Sequence, residues 1–177
     1  MIYRQEYIKP DGRKLWLYGR APIELTGPIL SPAMPGAVDT HLRYHPILQE
    51  WAVYASHRQD RTFLPSAQHD PLAPTMDPEN PTELPSGTYD VAVFENRFPS
   101  LVRDPGPAPV VANAKTAPAS GACEVVVFAQ GATQSLGDMS LDRIALIIEV
   151  WEERTRALQQ AGMAYACPLK TAAPKWA

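Results

Sequence analysis

Two short polar clusters each follow a predicted strand and contain side chains that suit phosphate or nucleotide binding. The first spans residues 56–61 (SHRQDR) and the second residues 95–97 (ENR). The guanidinium fork of arginine matches two oxygens of a phosphate group, so Arg58 and Arg61 could clamp one. Surface arginines are common, and each cluster alone is more typical of a solvated strand end than of a phosphate site. Together the clusters indicate a candidate phosphate-binding edge.

The histidines and cysteines form no pattern typical of a metal site or a disulfide framework. The four histidines are His41, His45, His57 and His69. They lie in no HxH or HExxH arrangement, and metal binding needs convergent ligands. Cys123 and Cys167 are far apart and have no CxxC spacing, which argues against a disulfide framework. The sequence also has no GxxxxGK[ST], GxGxxG or GxSxG motif.

The length and composition are those of one folded domain. The chain has 177 residues, of which 45% are apolar and 20% charged. A net charge of −3 gives no basic surface for nucleic acid or for a membrane. No apolar run approaches the roughly 18 residues of a membrane span, and the N-terminus is charged where a signal peptide would be apolar. We therefore expect a soluble cytoplasmic protein with no nucleic-acid or membrane partner.

The strands that carry the polar clusters are predicted from turn residues and from alternation. Residues 3–9 and 14–18 flank Pro-Asp-Gly, which predicts a β-hairpin because Pro presets φ and Gly permits a positive φ. Further strands are predicted at residues 50–56, 89–94 and 124–128, the last being buried on both faces because it is almost entirely apolar. The proline-rich stretches between the strands, residues 21–37, 66–87 and 104–121, are predicted to be loops.

One long helix is predicted near the C-terminus. Ser140 can cap it, Glu152 and Arg156 can pair on its outer face, and Gly162 can end it. The expected core stripe, at spacings of three and four residues, consists of Leu141, Ile144, Ala145, Ile148, Trp151, Thr155 and Leu158. These elements predict an α+β fold with a mainly antiparallel sheet and one long C-terminal helix.

Four blocks of the sequence resemble the galactose-1-phosphate uridylyltransferase family. The first runs from RYHP through EWAV to SHR (residues 43–58) and the second is YDVAVFENRFP (residues 89–99). The third is CEVVVF (residues 123–128) and the fourth runs from MSL to WEERT (residues 139–155). All four occur in the family's order and spacing. The resemblance implies an N-terminal portion of the histidine-triad-like half-barrel of the uridylyltransferases, here incomplete.

The resemblance also implies a function in galactose metabolism. Members of the family are homodimeric nucleotidyltransferases that act on UDP-glucose or UDP-galactose and a hexose 1-phosphate. A histidine of a His-Pro-His-Gly-Gln motif carries UMP covalently, which divides one displacement into two easier steps. Arg58, Arg61 and Asn96 match family positions that contact the nucleotide, so we expect them to bind substrate. The sequence leaves open whether this chain forms the dimer.

The family's zinc site is expected to be absent here. Many members have a Cys-x-x-Cys and a later histidine that help to bind a structural zinc. Asp70, Ala73 and Ala132 occupy the matching positions, and neither alanine can ligate a metal. We therefore predict no zinc at this site and no other cofactor. Metal analysis of the purified protein should give far less than one zinc per chain, and stoichiometric zinc would refute the prediction.

The 177 residues contain no His-Pro-His. Without that nucleophile no uridylyl intermediate can form, so we predict that this chain has no catalytic residue of its own and is inactive alone. Residues 1–162 are predicted to be the N-terminal uridylyltransferase-like domain, and residues 163–177 a tail that does not resemble the family. The chain is expected to be truncated before the catalytic motif.

The tail is compatible with a change of reading frame. With suitable synonymous codons, residues 168–177 (PLKTAAPKWA) read from the third base as Phe-Glu-Asn-Arg-Gly-Ala-Glu-Val-Gly. The first six residues of that string resemble the family's F-E-N-K/R-G-A block, so we predict a frameshift near Tyr165–Cys167. Resequencing the gene beyond its stop codon should reveal His-Pro-His-Gly-Gln in the shifted frame. If no such motif lies downstream, the tail is native and the frameshift prediction is wrong.

Three alternatives to a truncated transferase remain open from the sequence. The first is a nucleotide phosphorylase-like protein of the same broad fold, which a comparison of uridine and adenine nucleotides would distinguish. The second is a non-catalytic module that binds a nucleotide sugar or a partner subunit. The third is a degraded gene product without function, which a poorly folded chain would favour.

Overall fold

A computed structural model describes residues 1–34, 39–56, 70–131 and 136–169. The strands are β1 (Tyr3–Ile8), β2 (Lys14–Gly19), β3 (Glu24–Leu25), β4 (Thr40–His45), β5 (Glu50–Ala55), β6 (Gly87–Thr88), β7 (Val91–Glu95), β8 (Thr116–Pro118) and β9 (Glu124–Val127). A 3₁₀-helix at Leu136–Asp138 precedes the helix α1 (Leu141–Gln160). These strands pair only in antiparallel fashion. The predicted α+β fold with antiparallel sheets and one long helix is confirmed for this part of the chain.

The predicted N-terminal hairpin is present. Residues Tyr3 to Ile8 of β1 pair with β2 in a continuous register. The turn closes with a hydrogen bond of 2.9 Å from the Gly12 amide to the Lys9 carbonyl. Gly12 has φ of +85°, a conformation that a residue with a Cβ rarely adopts. The Asp11 carboxylate also accepts from the Arg13 amide at 3.1 Å, which is the local bond that Asp typically makes in turns.

The main sheet has the strand order β1-β2-β7-β9 and is covered on both faces. Leu15 and Leu17 of β2 face one core cluster, whereas Trp16 and Tyr18 face the other, because alternate side chains of a strand point to opposite faces. The adjacent strand β7 divides its residues between the two clusters in the same way. The two central strands are therefore the most deeply buried part of the described chain.

The burial of strand β9 differs from the prediction. It was predicted to be buried on both faces, but each of its four residues is only half-buried. The reason is its position: β9 pairs with β7 on one side and forms the edge of the sheet on the other. Its apolar sequence therefore reflects partial packing against both clusters, through Val125 and Val127 on one face and Val126 on the other.

The helix α1 has the predicted ends but a different buried face. Ser140 accepts a hydrogen bond from the Arg143 amide at 3.3 Å, and Gly162 follows the helix with φ of +90°. The predicted pair of Glu152 and Arg156 is also present at 2.5 Å. The residues that are buried against the sheet are Leu146, Ile147, Val150 and Arg154.

The predicted core stripe of α1 is therefore wrong. Leu141 is 84% exposed and Ile148 is 54% exposed, and the other members of that stripe are half-buried. The helix has apolar residues on two neighbouring faces, and the face that is buried includes the charged residue Arg154. The structure buries Arg154 because the Glu124 carboxylate pairs with it.

Two smaller sheets were not predicted in full. Strands β5, β4 and β8 form a three-stranded sheet in that order, and β3 pairs with β6. Strand β5 matches the expected residues, but β4 was not predicted and β8 lies within an expected loop. Strand β5 forms one edge of its sheet, and nearly all of it is exposed. Within the described ranges, no helix is both long and apolar enough to cross a membrane.

Candidate functional site

Asn96 lies directly after the buried strand β7, at the end of the sheet. Its amide donates to the Cys123 carbonyl at 2.8 Å, which extends the pairing between β7 and β9 by one residue. Its side-chain Oδ1 accepts from the Phe98 amide at 2.9 Å, so the carboxamide closes a turn over its own backbone. Asn96 is half-buried, and no described residue accepts a hydrogen bond from its Nδ2. The turn therefore holds the carboxamide in place and leaves Nδ2 available to a ligand.

The residues on either side of Asn96 are held from outside the turn. The Glu95 carbonyl accepts a hydrogen bond of 2.8 Å from Arg13 Nη1. On the other side, Arg97 donates through Nη1 to the Ala33 carbonyl at 3.0 Å, and its guanidinium carbon lies 4.9 Å from the centre of the Phe98 ring. The conformation of the Asn96 turn is consequently fixed by two arginines from different parts of the chain.

Both arginines converge on one buried carboxylate, Glu83. Arg13 Nη2 lies 2.7 Å from Glu83 Oε2, and Arg97 Nε lies 3.2 Å from Glu83 Oε1. Lys9 Nζ lies 2.5 Å from the same Oε2 and 3.1 Å from the Glu83 carbonyl oxygen. We call Lys9, Asp11, Arg13, Glu83 and Arg97 the Glu83 cluster. The Glu83 side chain is 5% exposed and that of Lys9 is fully buried, so these ions interact with little solvent screening.

Burial and pairing act in opposite directions on the charges of the Glu83 cluster. Burial lowers the pKa of Lys9 below its ordinary value, although its hydrogen bond to Glu83 and the charge of that carboxylate oppose the shift. Burial would raise the pKa of Asp11, but hydrogen bonds from the Arg13 side chain and backbone outweigh it and hold the pKa low. Separating the partners would leave buried charges without a counter-charge, which is strongly unfavourable, so the cluster resists separation.

The structure describes only part of the predicted substrate-binding set. Asn96 is described, and the Glu95-Asn96-Arg97 cluster lies at a strand end as expected. Arg58 and Arg61 lie outside the described residues, so their role stays a prediction. The strands that precede the two polar clusters, β5 and β7, belong to different sheets. Because residues 57–61 lie outside the described residues, the candidate phosphate-binding edge stays a prediction.

The positions matched to the family's zinc ligands are engaged in a turn where they are described. Asp70 Oδ1 accepts from the Leu72 amide at 2.9 Å, and the Asp70 carbonyl accepts from the Ala73 amide at 3.2 Å. Ala132 lies outside the described residues. Among the residues that the structure describes, no group of three His, Cys, Asp or Glu side chains could hold a metal ion. The absence of zinc stays a prediction.

The described histidines and cysteines play ordinary structural parts. His41 Nε2 accepts from Arg43 Nε at 2.9 Å, and its ring stacks on Tyr54 with the centres 5.7 Å apart. His45 Nδ1 accepts from the Leu48 amide. Cys123 and Cys167 are both free thiols. His57 and His69 lie outside the described residues.

The Glu83 cluster is the part of the candidate site that sequence reasoning missed. Glu83 lies in a proline-rich stretch predicted to be a loop, and its partners Lys9 and Arg13 are 74 and 70 residues away along the chain. Nothing near Glu83 in the sequence predicts burial of a charge. The one available signal was the excess of charged residues around the hairpin turn (KPDGRK, residues 9–14), because charges so close to a buried strand need partners.

A polar cleft of about 380 Å³ lies at the start of α1 and is lined by Arg20, Asp90 and Arg143 among others. Arg143 pairs with Asp90, and Arg20 makes two hydrogen bonds to the Glu149 carboxylate at 2.8 and 2.9 Å. Both arginines are therefore neutralised by carboxylates of the chain itself. This cleft does not have the unpaired positive charge that phosphate binding requires.

Comparison with known proteins identifies the family. Residues 33–176 match the family model described as galactose-1-phosphate uridyl transferase, N-terminal domain. That range includes most of the segment predicted to be out of frame, and the frameshift stays a prediction. The chain is 36% identical over 121 residues to galactose-1-phosphate uridylyltransferase of Thermotoga maritima, a match that covers 67% of this chain and 36% of the relative.

Further comparisons agree with that match. The galactose-1-phosphate uridylyltransferase of Streptomyces lividans is 32% identical over 149 residues, covering 84% of this chain and 37% of the relative. A solved structure described as a uridylyltransferase superposes with a TM-score of 0.51 at 24% identity, over 71% of this chain and 37% of that one. The latter shows likeness of fold alone. The chain thus spans a little over a third of the length of these relatives, and it belongs to the galactose-1-phosphate uridyl transferase N-terminal domain family.

Proposed function

We propose that this chain supplies the nucleotide-binding portion of a UDP-glucose–hexose-1-phosphate uridylyltransferase of galactose metabolism. The complete reaction would transfer UMP from UDP-glucose to galactose 1-phosphate. The proposal is supported by family membership and by curated relatives that carry the transferase name. The structural observation that carries it is the Asn96 turn, which presents a fixed carboxamide at the end of a buried strand.

The proposed roles follow from the chemistry of the side chains. Asn96 Nδ2 can donate a hydrogen bond to an oxygen of the nucleoside. Arg58 and Arg61 would bind the phosphates, since a guanidinium group can hold two phosphate oxygens at once. No His-Pro-His occurs in the 177 residues, so the covalent step would need a histidine that they do not contain. On the same grounds we propose that the complete protein has the family's half-barrel fold, forms a homodimer and is located in the cytoplasm.

The direct test is calorimetric titration of the protein with UDP-glucose. We expect measurable binding and no uridylyl transfer to galactose 1-phosphate by these residues alone. Asn96→Ala should weaken binding by about two- to tenfold, because one hydrogen bond to a ligand contributes roughly 0.5–1.5 kcal/mol. Asn80→Ala is the matched control, since Asn80 is exposed and its Nδ2 donates to the Asp77 carboxylate in a surface turn.

Two outcomes would contradict the proposal. If neither UDP-glucose nor UMP binds to the folded protein, the nucleotide-binding role is wrong. If ADP-glucose binds as tightly as UDP-glucose, the protein does not recognise uridine, and a phosphorylase-like activity on adenine nucleotides fits better. If Asn96→Ala and Asn80→Ala weaken UDP-glucose binding equally, Asn96 is not part of the binding site, although the proposed function still stands.

A further inference from the structure

The Glu83 cluster has a geometric relation to Asn96 that goes beyond holding the fold together. Arg13 connects Glu83 to the carbonyl of Glu95, the residue before Asn96. Arg97, the residue after Asn96, pairs with Glu83 directly. Both peptide neighbours of the proposed nucleotide-binding asparagine are therefore tied to one carboxylate, which lies in a different segment of the chain.

We infer that Glu83 is a positioning residue, which fixes the Asn96 turn in the conformation that binds the nucleotide. This inference rests on the proposed function, because it assigns Glu83 to the same site. Glu83 is suited to the task since its own backbone is anchored: its amide donates to the Pro71 carbonyl at 3.0 Å. It cannot contact a ligand itself, because its carboxylate is 5% exposed and surrounded by Lys9, Arg13 and Arg97.

The proposed role of Glu83 is to keep the Asn96 turn ordered before the ligand binds. A carboxamide that is already oriented loses less conformational freedom when the ligand binds, and this lowers the cost of association. If Glu83 no longer holds Arg13 and Arg97, the two residues beside Asn96 lose their common anchor. The hydrogen bond from the Phe98 amide to Asn96 Oδ1 should then open more often, and Nδ2 should lose its fixed direction.

The test compares Glu83→Gln with wild type by hydrogen exchange and by titration with UDP-glucose. Exchange of the Phe98 amide is expressed as the ratio of its rate in the variant to its rate in wild type, and exchange of Val93, in the buried strand β7, is followed separately because a buried core amide reports global unfolding. We expect this ratio to reach at least ten in Glu83→Gln, and the affinity for UDP-glucose to fall by about two- to tenfold, as in Asn96→Ala, because the variant weakens the same hydrogen bond. Ile147→Ala, on the opposite face of the sheet, is the control and should destabilise the fold without changing the ratio or the affinity.

A second variant covers the case in which Glu83→Gln fails to fold. Glu83→Asp keeps the buried negative charge but shortens the side chain, so it balances the cations without reaching all three. It should raise the exchange ratio and weaken binding in the same direction. An unchanged ratio in the folded variant, or equal losses of affinity in the Glu83 variant and Ile147→Ala, would overturn the positioning role. If wild type does not bind UDP-glucose, the proposed function fails, and the exchange ratio alone then decides whether Glu83 fixes the turn.

Discussion

Replacing Arg154 with methionine should lower the free energy of unfolding by about 3–5 kcal/mol, the usual cost of breaking a buried ion pair. Arg154 makes two hydrogen bonds to the Glu124 carboxylate, at 3.0 and 2.8 Å. Its guanidinium carbon lies 3.6 Å from the centre of the Trp16 ring. Both ionic side chains are less than 10% exposed, so among the described residues the variant leaves Glu124 with Arg103 alone, at 3.8 Å. Chemical denaturation followed by tryptophan fluorescence would measure the loss.

A matched control for this prediction lies half a turn further along the same helix. Arg156→Met removes an ion pair with Glu152 in which both side chains are more than 60% exposed, and it should cost less than about 0.5 kcal/mol. The double variant Arg154→Met, Glu124→Gln removes both buried charges and should recover part of the lost stability. Equal effects of Arg154→Met and Arg156→Met would show that Arg154 does not anchor the helix.

Ile147→Ala should lower the free energy of unfolding by about 2–5 kcal/mol, because it opens a cavity between α1 and the main sheet. Ile147 is 1% exposed and packs in the same cluster as Trp16, Val91 and Val93. The surrounding side chains come from a strand pair that is fixed by its hydrogen bonds, so they can fill the cavity only in part. Thermal unfolding followed by circular dichroism would report the change.

The adjacent isoleucine provides the comparison. Ile148 is 54% exposed, so more than half of it stays in contact with solvent in the folded protein. Ile148→Ala should therefore lower the free energy of unfolding by about 1 kcal/mol or less. The two variants have the same change in chemistry and in helix propensity, so their difference reports burial alone. The helix face predicted from periodicity places Ile148 in the core, so it requires the larger loss of stability for Ile148→Ala. Such a result would show that the predicted face is the buried one.

Local signals in the sequence predicted the elements whose ends are set by local chemistry. The hairpin follows from Pro10 and Gly12, and the helix from Ser140 at its start and Gly162 just beyond its end. In each case the residue acts through its own backbone or its own side chain. The structure confirms the hairpin turn and both helix ends.

Features that depend on distant partners could not be predicted in the same way. Which face of α1 is buried depends on Glu124 of strand β9, because its carboxylate neutralises Arg154. Strand β4 (THLRYH) contains few apolar residues, and its pairing with β5 and β8 rather than its composition makes it a strand. Hydrophobic periodicity reports neither charge pairing nor strand pairing, so both features were missed.

The residues of the candidate site show the same difference between local and distant signals. Asn96 was found because it follows a recognisable strand and matches a family position. Glu83 was missed because its significance lies wholly in Lys9, Arg13 and Arg97, two of which belong to the N-terminal hairpin. A side chain that orients another is visible only when both are placed in space.

The pairing of β2 with β7 also has a consequence for synthesis of the protein on the ribosome. The hairpin of β1 and β2 can form as soon as it emerges, but Leu15 pairs with Phe94, so the apolar faces of β2 stay uncovered until β7 has been made. Such long-range pairing is slow to form and leaves apolar surface open to aggregation in the meantime. The nascent chain should therefore depend on chaperones over this interval, and slower translation should lengthen the exposure.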